Sequence, residues 1–304
     1  MKSGILPIHK PEGMSSAQVV ARVKRALGAK KVGHTGTLDP FATGLLLCGI
    51  DQGTRISRFF LHGHKRYLAK ICLGVETDTY DPTGRIVSTA PQGMTDALKT
   101  HDIEAVVNSF LGIQDQVAPA YSALKHEGRP LYELARQGKM IQKPPRRIEI
   151  FDISIKQIDL PYIDIDVFCS SGTYIRSLGF DIGRKLGCGA HLSTLCRTES
   201  GPFRLENAVM LDSLEKLEKM DIQERIIPLS KCLESLPRVL ADAGTAEKIK
   251  FGKKLFFSDF ESISVHPESF IRITDDGNNL LAIVQPGENG QEYKYSCVFT
   301  SELV

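Results

Sequence analysis

The 304-residue chain contains no apolar run approaching the roughly 18 residues of a membrane-crossing helix, and residues 1–10 lack the apolar stretch of a signal peptide. A cytoplasmic protein that does not engage a membrane is expected. Cysteine pairing signals are missing too. The seven cysteines, Cys48, Cys72, Cys169, Cys188, Cys196, Cys232 and Cys297, are odd in number, dispersed and without a Cys-x-x-Cys pair. They read as reduced core side chains. Cys188, His191 and Cys196 come nearest to a ligand set, but their spacing fits no common zinc pattern, so no metal is expected. The phosphate-cradling signature Gly-x-x-x-x-Gly-Lys-Ser/Thr is absent as well, which excludes a P-loop nucleotide site.

Net charge is only +2, from 38 Lys and Arg against 36 Asp and Glu, so the global field draws a polyanion weakly. Acid is instead missing locally. Residues 13–38 hold no Asp or Glu but include Arg22, Lys24, Arg25, Lys30 and Lys31, and residues 134–148 hold none beside Arg136, Lys139, Lys143, Arg146 and Arg147. Acidic residues gather near 212–224 and 259–261. Two basic stretches suit phosphate contacts along a folded RNA; on charge alone, a solvated basic face explains them equally.

With 42% hydrophobic and 24% charged residues the composition is that of a folded globular chain, and the length favours a large unit plus a small one. Ser15-Ser16-Ala17-Gln18 is a capping-box pattern, and Val19, Val23 and Leu27 recur at helical spacing before Gly28 ends the helix. A buried strand is predicted over 45–50, a helix over 54–61, and a hairpin from strands 67–75 and 85–88 around Asp81-Pro82-Thr83-Gly84. Helices are predicted over 102–111 and 130–137, and strands over 148–158 and 162–169, the latter with Asp164 and Asp166 on a wet side. Thr173 is placed as the cap of a helix running to 186, followed by a strand over 192–196. A polar helical stretch over 212–225 leads to Pro228 and Pro237, the best boundary. The irregular mixture indicates an α+β fold with a mostly antiparallel sheet and helices packed on it, then a small strand-rich unit.

Asp39 stands among Gly33, Gly36, Pro40 and Gly44, which fix an unusual backbone path and permit close approach by another molecule. By itself it reads first as a turn-forming Asp-Pro. The wider pattern changes its weight. Lys10-Pro11-Glu12-Gly13-Met14-Ser15-Ser16, then Gly33-His34-Thr35-Gly36-Thr37-Leu38-Asp39-Pro40-Phe41-Ala42-Thr43-Gly44, resembles the bacterial TruB family of tRNA pseudouridine synthases, which act on uridine 55 of the T loop. Ordered matches continue through Lys65-Arg66-Tyr67, Glu76-Thr77-Asp78-Thr79-Tyr80-Asp81, Pro119-Ala120-Tyr121-Ser122-Ala123-Leu124-Lys125, Gly172-Thr173-Tyr174-Ile175-Arg176 and Gly189-Ala190-His191-Leu192 to Arg197-Thr198. The family commonly has an Arg-Arg pair where Cys196 precedes Arg197. Residues 236–304 resemble the family's PUA domain in position and size only.

The resemblance implies a pseudouridine synthase fold over residues 1–235, with an RNA-gripping insertion near 119–147, and a PUA-like RNA-binding domain over 236–304. It implies Asp39 as the catalytic carboxylate, Arg176 as its partner, Tyr67 as the ring stacked on uracil, and Tyr174 and Leu195 as pocket residues. His34 takes the space that the flipped base vacates, and Asp78 and Asp81 shape a loop. Arg22, Arg25, Lys30, Lys31, Lys139, Lys143, Arg146 and Arg147 become candidate RNA contacts. The implied partner is the tRNA T arm, met by a monomer without guide RNA, metal or other cofactor. Two rival classes are weighed against this. A noncatalytic RNA-binding or tRNA-folding protein on the same scaffold would have no need of Asp39, Tyr67, Tyr174 and Arg176 together. A glycoside hydrolase needs two cooperating carboxylates, and one obvious candidate is supplied.

Overall fold

A computed structural model describes residues 2–214, 216–260, 269–287 and 291–299. An 11-stranded sheet organises most of them. Its main path runs Val209–Met210, Gly4–Lys10, Thr43–Ile50, Ala190–Ser200, Lys65–Leu73, Tyr162–Cys169, Arg146–Asp159 and Gly112–Gln116. Along this path the pairing is antiparallel except where Gly4–Lys10 meets Val209–Met210 and where Ala190–Ser200 meets Thr43–Ile50. This is the mostly antiparallel α+β architecture that the pattern predicts.

The unbroken apolar run of Thr43–Ile50 follows from burial on both faces. Leu46, Cys48 and Ile50 enter a core with Val19, Val23 and Leu27 of helix Ser16–Leu27 and with Ile175, Leu178 and Ile182 of helix Ile175–Lys185. Leu45 and Leu47 point to the other side, into a second cluster with Ile5, Phe60 and Phe203. Helix Ser16–Leu27 has the expected ends: Ser15 and Gln18 complete the capping box, and Gly28 closes it at φ 63°.

A five-stranded sheet follows, in the order Arg238–Leu240, Ile271–Thr274, Leu280–Pro286, Glu292–Val298, Leu255–Phe256, with helix Ala243–Lys250 beside it. It has a core of its own around Val239, Ile249, Ile271, Ile273 and Leu281. Its Leu280, Ile283, Cys297 and Phe299 also enter the cluster of Ile5, Leu45, Leu47 and Phe60, so the small sheet covers the back of the large one.

Several local expectations need correcting. Thr173 is not the cap of the helix that follows. Tyr174 is, without a side-chain cap bond, because the Thr173 hydroxyl donates back to the Ser170 carbonyl and closes a turn. The 54–61 helix is a 3-10 turn over Asp51–Ile56 followed by Ser57–Leu61. The strand predicted over 67–75 runs Lys65–Leu73 and breaks at Gly74, which adopts φ 85°, so that Val75–Thr77 pairs separately with Ile86–Thr89. Asp166 is not wet: Arg66 and Lys156 bracket it at 2.7 and 3.5 Å, and it is buried. The polar stretch over 212–225 divides into helices Leu211–Leu214 and Lys219–Glu224, and its Glu215 lies outside the described residues, as does Glu261 of the second acidic group.

Candidate active site

Asp39 lies in the loop between strands Val32–His34 and Thr43–Ile50, and that loop is fastened almost residue by residue. The Leu38 amide donates to the buried Ser16 hydroxyl at 2.9 Å, and that hydroxyl donates to the Leu38 carbonyl at 3.0 Å. The Gly13 amide and the Lys10 ammonium donate to the Pro40 carbonyl. Arg197 reaches the Gly36 and Thr37 carbonyls from below while its Nε donates to Leu45 O at 2.8 Å. Gly44 is required at the foot of the loop: at φ 101°, an added Cβ would lie 2.4 Å from the Arg197 carbonyl oxygen.

Arg176 faces this loop from the first turn of helix Ile175–Lys185. Its side chain is 4% exposed, with Nε 2.9 Å from Asp39 Oδ2 and Nη2 donating to Asp39 Oδ1 at 3.3 Å and to Tyr121 O at 2.8 Å. The Nε contact has ion-pair distance without hydrogen-bond alignment. On the far side Nη1 donates to Thr79 O at 2.9 Å and to Asp81 Oδ2 at 3.2 Å. Arg176 therefore bridges two carboxylates. Asp81 in turn accepts from the Thr79 and Thr83 hydroxyls and the Thr83 amide, which holds the turn rigid. Burial pushes the Asp39 carboxyl above the usual aspartate range; Arg176 pulls it back and Asp81 adds to the rise. Its side chain still keeps 33% of its surface open.

That opening leads into a cavity of about 300 Å³ lined by Asp39, Tyr67, Tyr174, Arg176 and Leu195, at the lower end of the roughly 300–1,000 Å³ of small-molecule sites. Tyr67 and Leu195 reach it from neighbouring antiparallel strands. Tyr174 is fixed through its backbone, whose amide donates to Gln116 Oε1 and whose carbonyl accepts from Gln116 Nε2. His34 is elsewhere: it lines an adjoining cavity of about 820 Å³ that shares Asp39, Leu38 and Arg176 with the first. Burial, reinforced by the Arg197 charge, holds His34 below its ordinary pKa, which favours a neutral imidazole, and its Nδ1 is buried without a hydrogen-bond partner.

A family model for the N-terminal domain of TruB family pseudouridylate synthases matches residues 24–175, and one for the C-terminal domain of tRNA pseudouridylate synthase B matches residues 176–241. The chain belongs to the TruB family. Among its relatives, the tRNA pseudouridine synthase B of Thermotoga maritima is 41% identical, over 95% of this chain and 92% of the relative. That of Clostridium kluyveri is 42% identical, over 92% and 94%. Among solved structures, a Cbf5–Nop10–Gar1 complex superposes with a TM-score of 0.73 at 25% identity, over 97% of this chain and 84% of the other. The large sheet is thus the pseudouridine synthase fold, and the small one is consistent with a PUA-like domain.

The resemblance gave Lys65 and Arg197 no role, although both stand in its motifs, and took Arg146 only as an outer RNA contact. Lys65, Arg146 and Arg197 also line it. Lys65 is buried, and its ammonium donates to the carbonyls of Phe60, Leu61 and Gly63; burial and the neighbouring Arg197 lower its pKa to about 8. Arg197 is 1% exposed and is the direct cross-strand partner of Tyr67, whose phenol its charge draws down in pKa against the larger rise from burial. One signal was available for it: Arg197 follows Leu195 at the two-residue spacing of an inward-facing strand position, where a cation has to be held by something.

The remaining basic candidates do not converge. Arg22 pairs with Asp212 at 3.3 Å, Arg25 is exposed in the last turn of helix Ser16–Leu27 with Lys30 and Lys31 exposed just beyond it, and Lys143 lies 3.2 Å from His126 Nδ1. Lys139 and Arg147 are exposed. Among the described residues no group of three His, Cys, Asp or Glu side chains is placed to hold a metal ion, and no helix is long and apolar enough to cross a membrane. His191 Nδ1 instead lies 2.8 Å from Val75 O.

Proposed function

We propose that this chain is a tRNA pseudouridine synthase, an isomerase that converts uridine 55 of the T loop to pseudouridine, working in the cytoplasm as a monomer without guide RNA. The observation that carries the reading is the Asp39 carboxylate, fixed by Arg176 and opening into a cavity walled by Tyr67 and Leu195. The names of its relatives supply the tRNA, and the much higher identity to them than to Cbf5 supports a stand-alone enzyme.

A uridine inside a folded loop has to leave its stack to reach such a cavity. Tyr67 offers the uracil a stacking face, a contact of about 1–3 kcal/mol, and Leu195 closes the other side. His34, neutral in the adjoining cavity, fills the space behind the everted base. Asp39 then meets the sugar at C1′. An ionised carboxylate there has three ways to assist breakage of the N1–C1′ bond: bonding to C1′, stabilising oxocarbenium character, or taking the C2′ proton. The detached uracil turns between Tyr67 and Leu195 and rejoins through C5. The proton lost from C5 is matched by one gained at N1, so no cofactor enters the balance. Tyr174 forms the cavity wall beside Arg176. Residues 1–235 form the catalytic unit. The exposed Arg25, Lys30, Lys31, Lys139 and Arg147, with the half-buried Arg22 and Lys143, serve the flanking phosphates, and residues 236–304, described apart from 261–268, 288–290 and 300–304, give a second RNA contact.

The test is Asp39→Asn assayed by tritium release from C5-labelled uridine in a T-arm stem-loop, with protein alone. Release should be abolished while T-arm affinity stays within about twofold, since a neutral isostere leaves the fold's contacts in place. Substantial residual turnover would remove Asp39 from its role.

A further inference from the structure

Four cations line the small cavity against one acid, Asp39. Three of them spend their donors on the protein itself. Lys65 is occupied by three carbonyls, Arg197 by Leu45, Gly36 and Thr37, and Arg176 by Asp39, Asp81, Thr79 and Tyr121. Arg146 differs. Its Nε is buried without a hydrogen-bond partner, and among the described residues no carboxylate or carbonyl is recorded against its guanidinium. What holds it is a ring: the guanidinium carbon lies 4.3 Å from the Tyr174 centroid, and the guanidinium packs close over Gly172.

A planar cation stacked on an aromatic face is fixed in direction while its outward N–H groups remain free. Leaving a buried guanidinium N–H unsatisfied is costly, so the arrangement makes sense if a ligand completes it. An anionic ligand would both accept from the free N–H groups and balance a charge that no carboxylate meets, and it would come within one nucleotide's length of Asp39, because both residues wall the same cavity. A nucleoside whose C1′ sits at Asp39 carries such a group at each of its two phosphodiester links. Gly172, whose φ of 85° favours glycine, places a bare backbone beside the guanidinium.

We propose that Arg146 binds a phosphodiester attached to the everted uridine, held in place by its stack on Tyr174. This deepens the proposed function and rests on it. Arg146 thereby differs from the outer basic residues: it binds the reacting nucleotide itself and lets the cavity distinguish a uridine within a chain from a free nucleoside. Tyr174 acts as its platform. Losing the contact should cost about tenfold or more in use of the substrate, the scale of one charge-assisted hydrogen bond.

The test pairs protein and RNA changes. Single methylphosphonate links, which remove one phosphate charge, are placed 5′ or 3′ of the target uridine in a T-arm stem-loop. Single-turnover conversion is then compared for the full-length protein, Arg146→Gln and Arg146→Lys. One of the two links should impair the unsubstituted protein about tenfold and add nothing to Arg146→Gln. Arg146→Lys, which keeps the charge and loses the planar stack, should fall between. If the effects of the link and of Arg146→Gln multiply, or Arg146→Gln converts the unmodified stem-loop normally, the assignment is overturned while the synthase reading stands. If the unsubstituted protein converts no T-arm uridine, both fall. Unchanged thermal unfolding of Arg146→Lys guards against a folding defect.

Discussion

At Asp39 a guanidinium that favours the charged carboxylate competes with burial and with a second acid, Asp81, that oppose it. The sign of each effect can be tested separately. Asp81 raises the Asp39 pKa, so Asp81→Asn should lower it, and the acid limb of a kcat/KM profile that requires ionised Asp39 should move to lower pH. The plateau should also drop, because Arg176 Nη1 loses a charged partner at 3.2 Å. A limb that stays put or moves upward would show that the two acids are not coupled through Arg176. Arg197 offers a different test, one of position. The Leu45, Thr37 and Gly36 carbonyls are each met by a different nitrogen of the guanidinium, which a single ammonium nitrogen does not reproduce, so Arg197→Lys should loosen the loop beneath Asp39. A loss on the order of 100-fold in kcat is expected with T-arm affinity little changed, since small displacements of a reacting group cost that much. Asp39 was visible in the sequence through its motif, whereas the grip of Arg197 was not, because it depends on which residue lies across the strand pair.

Among the elements, helix Ser16–Leu27 was legible in full because its signals are local: a cap, a period of hydrophobic residues and a glycine stop. Ser15→Ala should cost about 0.5–2 kcal/mol in chemical denaturation, the usual range for an N-cap. The helix after Thr173 was misjudged at its start because a threonine near a helix N-terminus has two possible partners. The Ser170 carbonyl took its hydroxyl, leaving the cap to Tyr174. Strand Thr43–Ile50 depends on something no propensity reveals. Gly44 must let the Arg197 backbone pass, so Gly44→Ala should destabilise the fold far more than the ~1 kcal/mol of an ordinary strand glycine, seen as a large fall in Tm or loss of soluble protein.

For the molecule as a whole, the small sheet is not an appendage. Leu280, Ile283, Cys297 and Phe299 cover Ile5, Leu45, Leu47 and Phe60 on the back of the catalytic sheet, and Arg55 donates to Val298 O at 2.5 Å across the same junction. Ending the chain before Arg238 should therefore expose an apolar face as well as remove the proposed RNA contact. A lowered Tm and increased binding of a hydrophobic dye are expected, besides weaker tRNA binding. If the shortened chain melts like the full one, the shared cluster contributes nothing to stability. Pro228 and Pro237 gave only an expected boundary, and the packing between the two sheets was not readable from them.

The sequence by itself determined the helix with its caps, the strand that both faces bury, the mixed α+β class, and the ordered motifs that place the chain in its family. These are carried by neighbours along the chain, where a few residues suffice to set backbone conformation. Only the tertiary structure decided that Lys65, Arg146 and Arg197 share a cavity with Asp39, that His34 lines the next one, and that the two sheets share a hydrophobic cluster. Such juxtapositions come from strand register and packing between distant segments, where one residue's slip would turn a side chain to the opposite face.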